Sequence, residues 1–420
     1  MSTHATDGTT PHSAAAGDLV PRSQSDVIDM IRACRAQRRQ LTPVGTGTSA
    51  DLPTHVAALS LHQLNRAVDY PFQDMTVTIE AGATLAQLQQ ILAEHCQRLP
   101  IDHPQPQQAS IGGLLATNFS GPSRFGHGTL RDYLIGVTAV DGQGREFHAG
   151  GRVVKNVAGY DMCKLLIGSR GSLAVITQVT LRVKPLVPSL RFVCIAFDST
   201  AELDRALTVL NTSQTRPVIV EAIRCSSTQW DNLLSGVTSD TDAIPGSSHF
   251  GLCLGYEGTE AETLWQVETV QRELDGDDAA TVLTDAAATG LQQRLAGYLH
   301  GSKTPVVQIA FQPSQLVTVL SRIPATISLQ IRAGDGLALL GLPKGDPADW
   351  LTTVRQLRSE LSPLGAQIWV SRGPNDWTFT DRLGPDTAAW QLQRQLKAAL
   401  DPDGVLYAEW LLHQPMEARK

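Results

Sequence analysis

Ser110-Ile111-Gly112-Gly113-Leu114-Leu115-Ala116-Thr117-Asn118 begins with a hydroxyl and a glycine pair, then turns helical through small residues. Ser110 is placed to cap that turn, and Gly112 and Gly113 let main chain approach a ligand closely. Two further segments share this grammar. Upstream, the strand-like Leu41-Thr42-Pro43-Val44 runs into Gly45-Thr46-Gly47-Thr48-Ser49. There the glycines let consecutive N–H groups turn inward as a nest for phosphate oxygens, and the hydroxyls add donors. Pro53 follows too soon for an immediate helix, which argues against a Rossmann loop. Downstream, Gly168-Ser169-Arg170-Gly171 leads straight into a long strand, whose main-chain edge can bond the polar edge of a ring. Taken singly, the three also read as a surface turn, a glycine-rich Ω-loop and a helix–turn–strand corner.

Around these segments the periodicity predicts alternating strands and helices. Ser23 or Ser25 caps a helix facing inward through Val27, Ile31 and Cys34. Thr76 to Glu80 alternates as a strand, and Thr84 with Gln87 forms a capping box for a helix buried through Leu85, Leu88, Ile91 and Leu92. Pro100 to Gly128 has no sustained period and reads as a long ordered loop with one helical turn near Gly113 to Ala116, a type of segment that is usually functional. Val137 to Val140 and Arg145 to His148 form a hairpin, and Leu173 to Lys184 is the clearest strand, closed by Pro185 and Pro188. After Pro188 come strand–helix–strand units that suit an antiparallel sheet with helices on one face. Asp346 N-caps a helix with Pro347 at its first position, and Leu392, Leu396 and Leu400 form a stripe on the last helix before Asp401-Pro402-Asp403-Gly404.

The expected organisation is a tail over 1–20 and a nucleotide-binding domain over 21–187, itself two α+β subdomains at about 21–70 and 71–187. An α+β cap domain over 188–385 and a C-terminal helix and turn over 386–420, returning to the first domain, complete it. The net charge of 34 − 41 = −7 has no basic stripe, which argues against nucleic-acid binding. Six cysteines, Cys34, Cys96, Cys163, Cys194, Cys225 and Cys253, offer no Cys-x-x-Cys pair and no Fe–S ligand series, and read as reduced thiols of a cytoplasmic protein. The first residues lack the basic and apolar regions of a signal peptide, and no apolar stretch reaches the length of a membrane span. Any membrane link, at the inner face, would run through partners.

In combination and in this order, the three segments resemble the FAD-binding domain shared by vanillyl-alcohol oxidase and p-cresol methylhydroxylase. The resemblance covers about Val20 to Val187, with an echo at Asp401 to Val405. Gly151-Arg152-Val153-Val154-Lys155-Asn156-Val157-Ala158-Gly159-Tyr160-Asp161 is especially similar to the FAD-binding accessory (E) subunits of bacterial glycolate oxidases. The resemblance implies an α+β fold: the two-subdomain FAD domain plus a cap built on an antiparallel sheet with helices. It implies that Gly45, Thr46, Gly47, Thr48 and Ser49 hold the pyrophosphate, and that Pro104, Ser110, Gly112, Gly113, Ala116 and Asn118 line the phosphate and flavin wall. Gly171, Val175 and Ile176 would supply main-chain contacts near the ring or adenosine, and Asp161 would order its turn.

Thr48 stands where covalently flavinylated relatives often carry His, and Asp102 to Gln107 lacks their attachment Cys, so the FAD is expected to be non-covalent. Ala333-Gly334-Asp335-Gly336-Leu337-Ala338-Leu339 lacks the Asn and His that catalytic D-lactate and glycolate dehydrogenase subunits carry in a Gly-Asp-Gly-Asn-x-His segment. Asp335-Gly336 therefore reads as a hairpin turn, no metal is expected, and no catalytic acid or base can be named. His95, His103, His127 and His148 read as surface or loop residues. Arg124, His127, Arg131 and Tyr133 could face a substrate carboxylate, though a solvent-facing loop cation is the simpler reading. The functional expectation is an FAD-dependent oxidoreductase: the FAD-binding subunit of a glycolate-oxidase-like 2-hydroxy-acid dehydrogenase complex, passing electrons from substrate oxidation via its flavin to an Fe–S partner, with a catalytic flavin subunit as the other partner. A stand-alone flavin dehydrogenase or oxidase and a non-catalytic assembly subunit are the alternatives.

Overall fold

Ser23 accepts a hydrogen bond from the Asp26 amide and starts α1 (Gln24–Ala36), whose Val27, Ile31 and Cys34 are buried on one face. The computed structural model describes residues 18–47, 55–151, 161–237, 249–274, 280–300, 302–374, 376–385 and 387–408. Tail residues 1–17 and Arg152–Tyr160 lie outside them. Beneath α1, β1 (Leu41–Val44) pairs in parallel with β2 (Ala57–Ser60), and Leu19 bridges Leu59. Leu406 bridges Leu41, so the end of the described chain closes the same small core, where Val405 and Leu406 meet Ile31, Leu41 and Leu59.

The next unit is an antiparallel five-stranded sheet, ordered β3 (Ala67–Asp69), β4 (Thr76–Glu80), β8 (Ala174–Arg182), β6 (Leu134–Asp141), β7 (Glu146–Gly150). Alternation puts Val77, Ile79, Val179 and Leu181 on the face covered by α2 (Leu85–Ala93), α3 (Ile111–Thr117) and α5 (Leu130–Tyr133). The other face is polar, with the Thr78 and Thr180 hydroxyls bonded at 3.0 Å. The capping box at Thr84 and Gln87 is present. The long loop holds one more short helix than expected, α4 (Arg124–His127), beyond α3. A short ladder, β5 (Gln97–Arg98) with β9 (Lys184–Pro185), and α6 (Met162–Leu166) complete this part.

An antiparallel eight-stranded sheet follows, in the order β13 (Thr281–Thr284), β10 (Ser189–Phe197), β12 (His249–Gly258), β11 (Ile219–Cys225), β15 (Ser328–Arg332), β16 (Leu337–Gly341), β14 (Val306–Ala310), β17 (Gln367–Arg372). Helices α7 (Thr200–Thr212), α9 (Glu260–Glu273), α11 (Leu316–Leu320) and α12 (Pro347–Leu361) bury one face. The fold is thus α+β as expected, but helices occupy both faces. On the second face α8 (Ser227–Ser235) and α10 (Asp285–Gly297) cover β10, β12 and β11 through Trp230, Leu233, Leu291 and Leu295. The rest of that face carries Gln308, Leu339 and Trp369, all only half-buried. It is the side that meets the long loop over 100–128. Two short-range features close the chain: α13 (Phe379–Leu383) and α14 (Ala388–Leu400). In α14 the expected stripe is only partly inward: Leu400 packs half-buried against a core, while Leu392 is 56% exposed and Lys397 is the buried residue.

Candidate functional site

The three glycine-rich segments converge. A Cβ on Gly45 would fall on the Ser110 side chain, and one on Gly171 (φ 73°) would strike the Pro43 ring. The Thr46 hydroxyl donates to the Gln108 carbonyl. The Gly168 and Arg170 amides donate to the Leu115 and Ala116 carbonyls at 3.0 and 2.8 Å, tying the strand-entry turn to the C-terminal end of α3. At its other end the Gly112 amide donates to the Ala81 carbonyl at 2.7 Å, and a Cβ there would lie 2.9 Å from that of Ala81. Ser110 caps the helix as expected, accepting from the Gly113 amide at 3.2 Å. Close main-chain packing therefore requires glycine at these positions before any ligand is considered.

What this packing leaves outward is a surface of small residues. Gly112, Gly113 and Ala116 are half-exposed, and Asn118 ends α3 in the left-handed conformation (φ 51°). Gly47 is also left-handed (φ 82°), which turns its amide relative to that of Gly45. The Thr42 and Ser169 hydroxyls, one on β1 and one in the strand-entry turn, are buried without a hydrogen-bond partner among the described residues. Buried unpaired hydroxyls flanking a small-residue cradle fit a polar ligand. The nucleotide of FAD offers anionic and hydrogen-bonding oxygens of that kind. Val175 and Ile176 bury their side chains in two different cores, so only their main chain can reach a ligand. Pairing of β4 with β8 stops at Gln178, with one more bond from the Ala81 amide to the Thr177 carbonyl, and beyond it that β8 edge faces α3. Pro104 stands apart from this cluster, where the loop touches Gly297 at the end of α10. Thr48 and Ser49 lie outside the described residues.

Polar groups that sequence reading did not single out join the loop to the eight-stranded sheet. Half-buried Asp102 accepts from the Ser123 amide at 2.7 Å and from the Gln292 amide group at 3.0 Å, and desolvation raises its carboxyl pKa. Arg332 on β15 donates to the Ser120 hydroxyl at 3.0 Å and faces Glu221 on β11 at 3.4 Å. Burial pushes Glu221 up to about 8 against the charge of Arg332, while Gln330 donates to it at 3.1 Å. A second cluster gathers around Glu257. Glu257, burial notwithstanding, is held at about 2 by hydrogen bonds from His127 (2.7 Å) and both Nη atoms of Arg98, and Lys184 lies 3.1 Å from the other nitrogen of His127. His127, expected at the surface or in a loop, is thus a half-buried partner in the short helix α4 of the loop. His103 is likewise buried, between Phe119 (4.5 Å) and His300 (5.4 Å), and burial lowers its pKa to about 4. Arg124 pairs with Asp335 at 3.7 Å, and Tyr133 donates to the His127 carbonyl, so neither is a free loop group, whereas Arg131 is exposed. Asp335-Gly336 is the turn between β15 and β16, as expected. The signal was present in the sequence: Glu221 interrupts the apolar run Ile219 to Ile223, and a charge inside a buried strand needs a partner.

Residues 15–150 match the profile of the FAD binding domain family. This part of the chain is similar to FAD binding domains, and the match supports FAD as its cofactor. Over 172 residues the chain is 33% identical to the D-lactate dehydrogenase (cytochrome), mitochondrial, of Arabidopsis thaliana, covering 40% of this chain and 30% of that one. It is 30% identical over 162 residues to glycolate oxidase subunit GlcE of Escherichia coli, covering 38% and 46% respectively. These matches thus span less than half of each relative. A longer match, 24% identical over 412 residues, covers 92% of this chain and 88% of an uncharacterized FAD-linked oxidoreductase of Mycobacterium tuberculosis. Among solved structures, alkyldihydroxyacetonephosphate synthase shares the fold, with a TM-score of 0.67 at 16% identity over 92% of this chain and 76% of that one. No helix among the described residues is long and apolar enough to cross a membrane.

Proposed function

We propose that the chain is the FAD-binding subunit of a glycolate-oxidase-like 2-hydroxy-acid dehydrogenase complex, in which electrons leave through an Fe–S partner. The observation that carries this reading is the convergence of Gly45–Gly47, Ser110–Gly113 and Gly168–Gly171 on one cradle, within a domain whose named relatives include a glycolate oxidase subunit and D-lactate dehydrogenases. Turned amides of the first loop and the start of α3 hold the phosphates, and the hydroxyls of Thr42 and Ser169 give their unused donors to the nucleotide. The β8 edge from Ala174 to Ile176 presents main-chain groups to the ring. Thr48 leaves the first loop without a side chain suited to covalent attachment, so the flavin is held by these contacts alone. When bound, FAD supplies the hydride-accepting chemistry. The half-open sheet face with Gln308, Leu339 and Trp369 forms the opposing wall and keeps water from the ring. The cysteines form no Cys-x-x-Cys pair, which is why an Fe–S centre is assigned to a partner.

Anaerobic addition of glycolate or D-lactate to the purified chain, followed at the oxidised-flavin band at about 450 nm, tests this. Bleaching that requires co-purified subunits is the expected result. Bleaching by the chain alone would replace this reading with a stand-alone dehydrogenase, and a colourless protein would remove the flavin assignment altogether.

A further inference from the structure

Ser120 follows Asn118 and Phe119, where α3 ends, and two guanidinium groups converge on its hydroxyl. Arg332 of β15 donates to that oxygen through Nη1 at 3.0 Å, and Arg124 of α4 through Nη1 at 3.4 Å. An oxygen that accepts from both has used its lone pairs, and its own proton has no acceptor among the described residues. Arg332 is only 7% exposed, yet the bond to Ser120 is its one hydrogen bond among those residues. Its Nε is buried and lies 3.4 Å from Glu221 without hydrogen-bond geometry, and its Nη2 donates to nothing among them. Arg124 stands 3.7 Å from Asp335, beyond hydrogen-bond distance. A buried guanidinium normally uses its donors, and one that leaves most of its five idle beside a second cation marks a place for an anion. Charge points the same way. Burial pushes Glu221 up to about 8, so at neutral pH it is mostly protonated and leaves Arg332 without a full counter-charge.

This junction lies at the flavin wall. The Gly168 and Arg170 amides tie the strand-entry turn to the Leu115 and Ala116 carbonyls, so the β8 edge assigned to the ring lies at the end of α3 that Ser120 continues. On the sheet, Arg332 stands opposite Leu337, and beyond it toward the β17 edge comes the uncovered part with Gln308 and Leu339. We infer that Ser120, Arg124 and Arg332 bind the carboxylate of the small organic acid on which the protein acts, at the border between the flavin loop and the uncovered sheet. The inference rests on the 2-hydroxy-acid reading above and adds to it the residues that hold the acid. Arg332 and Arg124 supply charge and planar donors, and the Ser120 hydroxyl gives its unused proton to a carboxylate oxygen.

Calorimetric titration of the FAD-loaded protein with oxalate, which offers carboxylates but no hydride, tests the site, with the visible flavin spectrum recorded in parallel. The parent should bind oxalate with a saturating shift of the flavin band. Arg124→Gln alters a side chain 34% exposed and should weaken binding about 10- to 100-fold, with flavin content and melting temperature unchanged. Ser120→Ala should weaken it too, as should Arg332→Lys, which keeps the charge but not the fork. No binding to the parent, undiminished affinity in Arg124→Gln, or binding that leaves the flavin spectrum unmoved each overturns the inference. The two readings fail separately. Oxalate binding that depends on Arg124, without bleaching by glycolate or D-lactate even when co-purified subunits are present, keeps the site and removes the redox assignment. Bleaching that is insensitive to Arg124 and Ser120 does the reverse.

Discussion

Glu257→Gln keeps the shape of a side chain only 3% exposed but removes the charge that Arg98 and His127 enclose. The glutamate sits at about 2 against an ordinary 4.5, because hydrogen bonds and charge from Arg98 and His127 outweigh the burial that pushes it upward. That gap corresponds to about 3 kcal/mol in favour of the folded state at neutral pH. Because the folded-state value is the lower one, this stability is fully present above 4.5 and is lost as pH falls through about 2. Removing one partner of a buried pair costs about 3–5 kcal/mol, so the two routes agree on the size of the effect. Arg98 and Lys184 belong to the short ladder of the flavin segment and Glu257 to the eight-stranded sheet, so the loss is felt at their junction. Urea unfolding at pH 7 should show the variant destabilised by about 3 kcal/mol. Repeated between pH 5 and pH 3, it should show a shallower acid limb than the parent. A variant within about 0.5 kcal/mol of the parent, with the same acid limb, would refute the view that this carboxylate is ionised and locked in place.

Three further outcomes follow from the same geometry. Gly47→Val places a β-branched residue at φ 82°, which costs at least about 1–2 kcal/mol, and should yield protein that folds but retains little flavin by its visible-to-ultraviolet absorbance ratio; full occupancy would remove the first loop from the site. Asp401→Asn leaves Lys397 buried without its counter-charge and replaces one of the two oxygens that accept from the Val405 and Leu406 amides by a donor, so thermal unfolding should show a loss of about 3–5 kcal/mol, against no change if the pair were solvated. Glu221→Gln acts through the opposite sign. A folded value of about 8 lies above the ordinary 4.5, so the parent loses stability as pH rises through that window, and the variant's stability should depend less on pH between 5 and 8 in denaturant titrations. Identical slopes would mean that Glu221 titrates normally.

What was legible in the sequence was local. The Ser110 cap, the Thr84–Gln87 box, the Pro347 helix start and the alternation of β8 from Gln178 to Arg182 each depend on residues a turn or a strand apart, and each is where the letters put it; before Gln178 a register shift sends Val175 to a different core from Val179. The eight-stranded sheet was legible as strand–helix units, but α10 was not, because Asp285–Gly297 buries only Ala288, Leu291 and Leu295 and looks polar elsewhere. The last helix misled for a different reason. Its leucines form a clean stripe, yet Lys397 goes inward because Asp401 and the Leu406 carbonyl are there to receive it. Partner positions far away in the chain decide such cases, and periodicity carries no information about them.

The same distinction explains why the glycine segments pointed to the cofactor while the sheet yielded no chemistry. A glycine required by close main-chain approach stays visible as a letter whatever lies across from it. A charge is informative only with its partner, and Arg332 meets Ser120 across 212 residues while Arg98 meets Glu257 across 159. Both pairings bind the flavin segment to the sheet, at Ser120 on the loop and at Arg98 on the ladder. These pairings set the spacing between that segment and the sheet, whose uncovered part, with Gln308, Leu339 and Trp369, lies beyond Arg332 toward the β17 edge. An apolar interface would fix that spacing through area alone. Buried charges fix it through direction as well, since Arg332 and Glu257 lose their partners if either side slides by one residue. A flavin between two walls needs that directional control, which gives a reason for ionic groups to be kept where hydrophobic residues would pack as well.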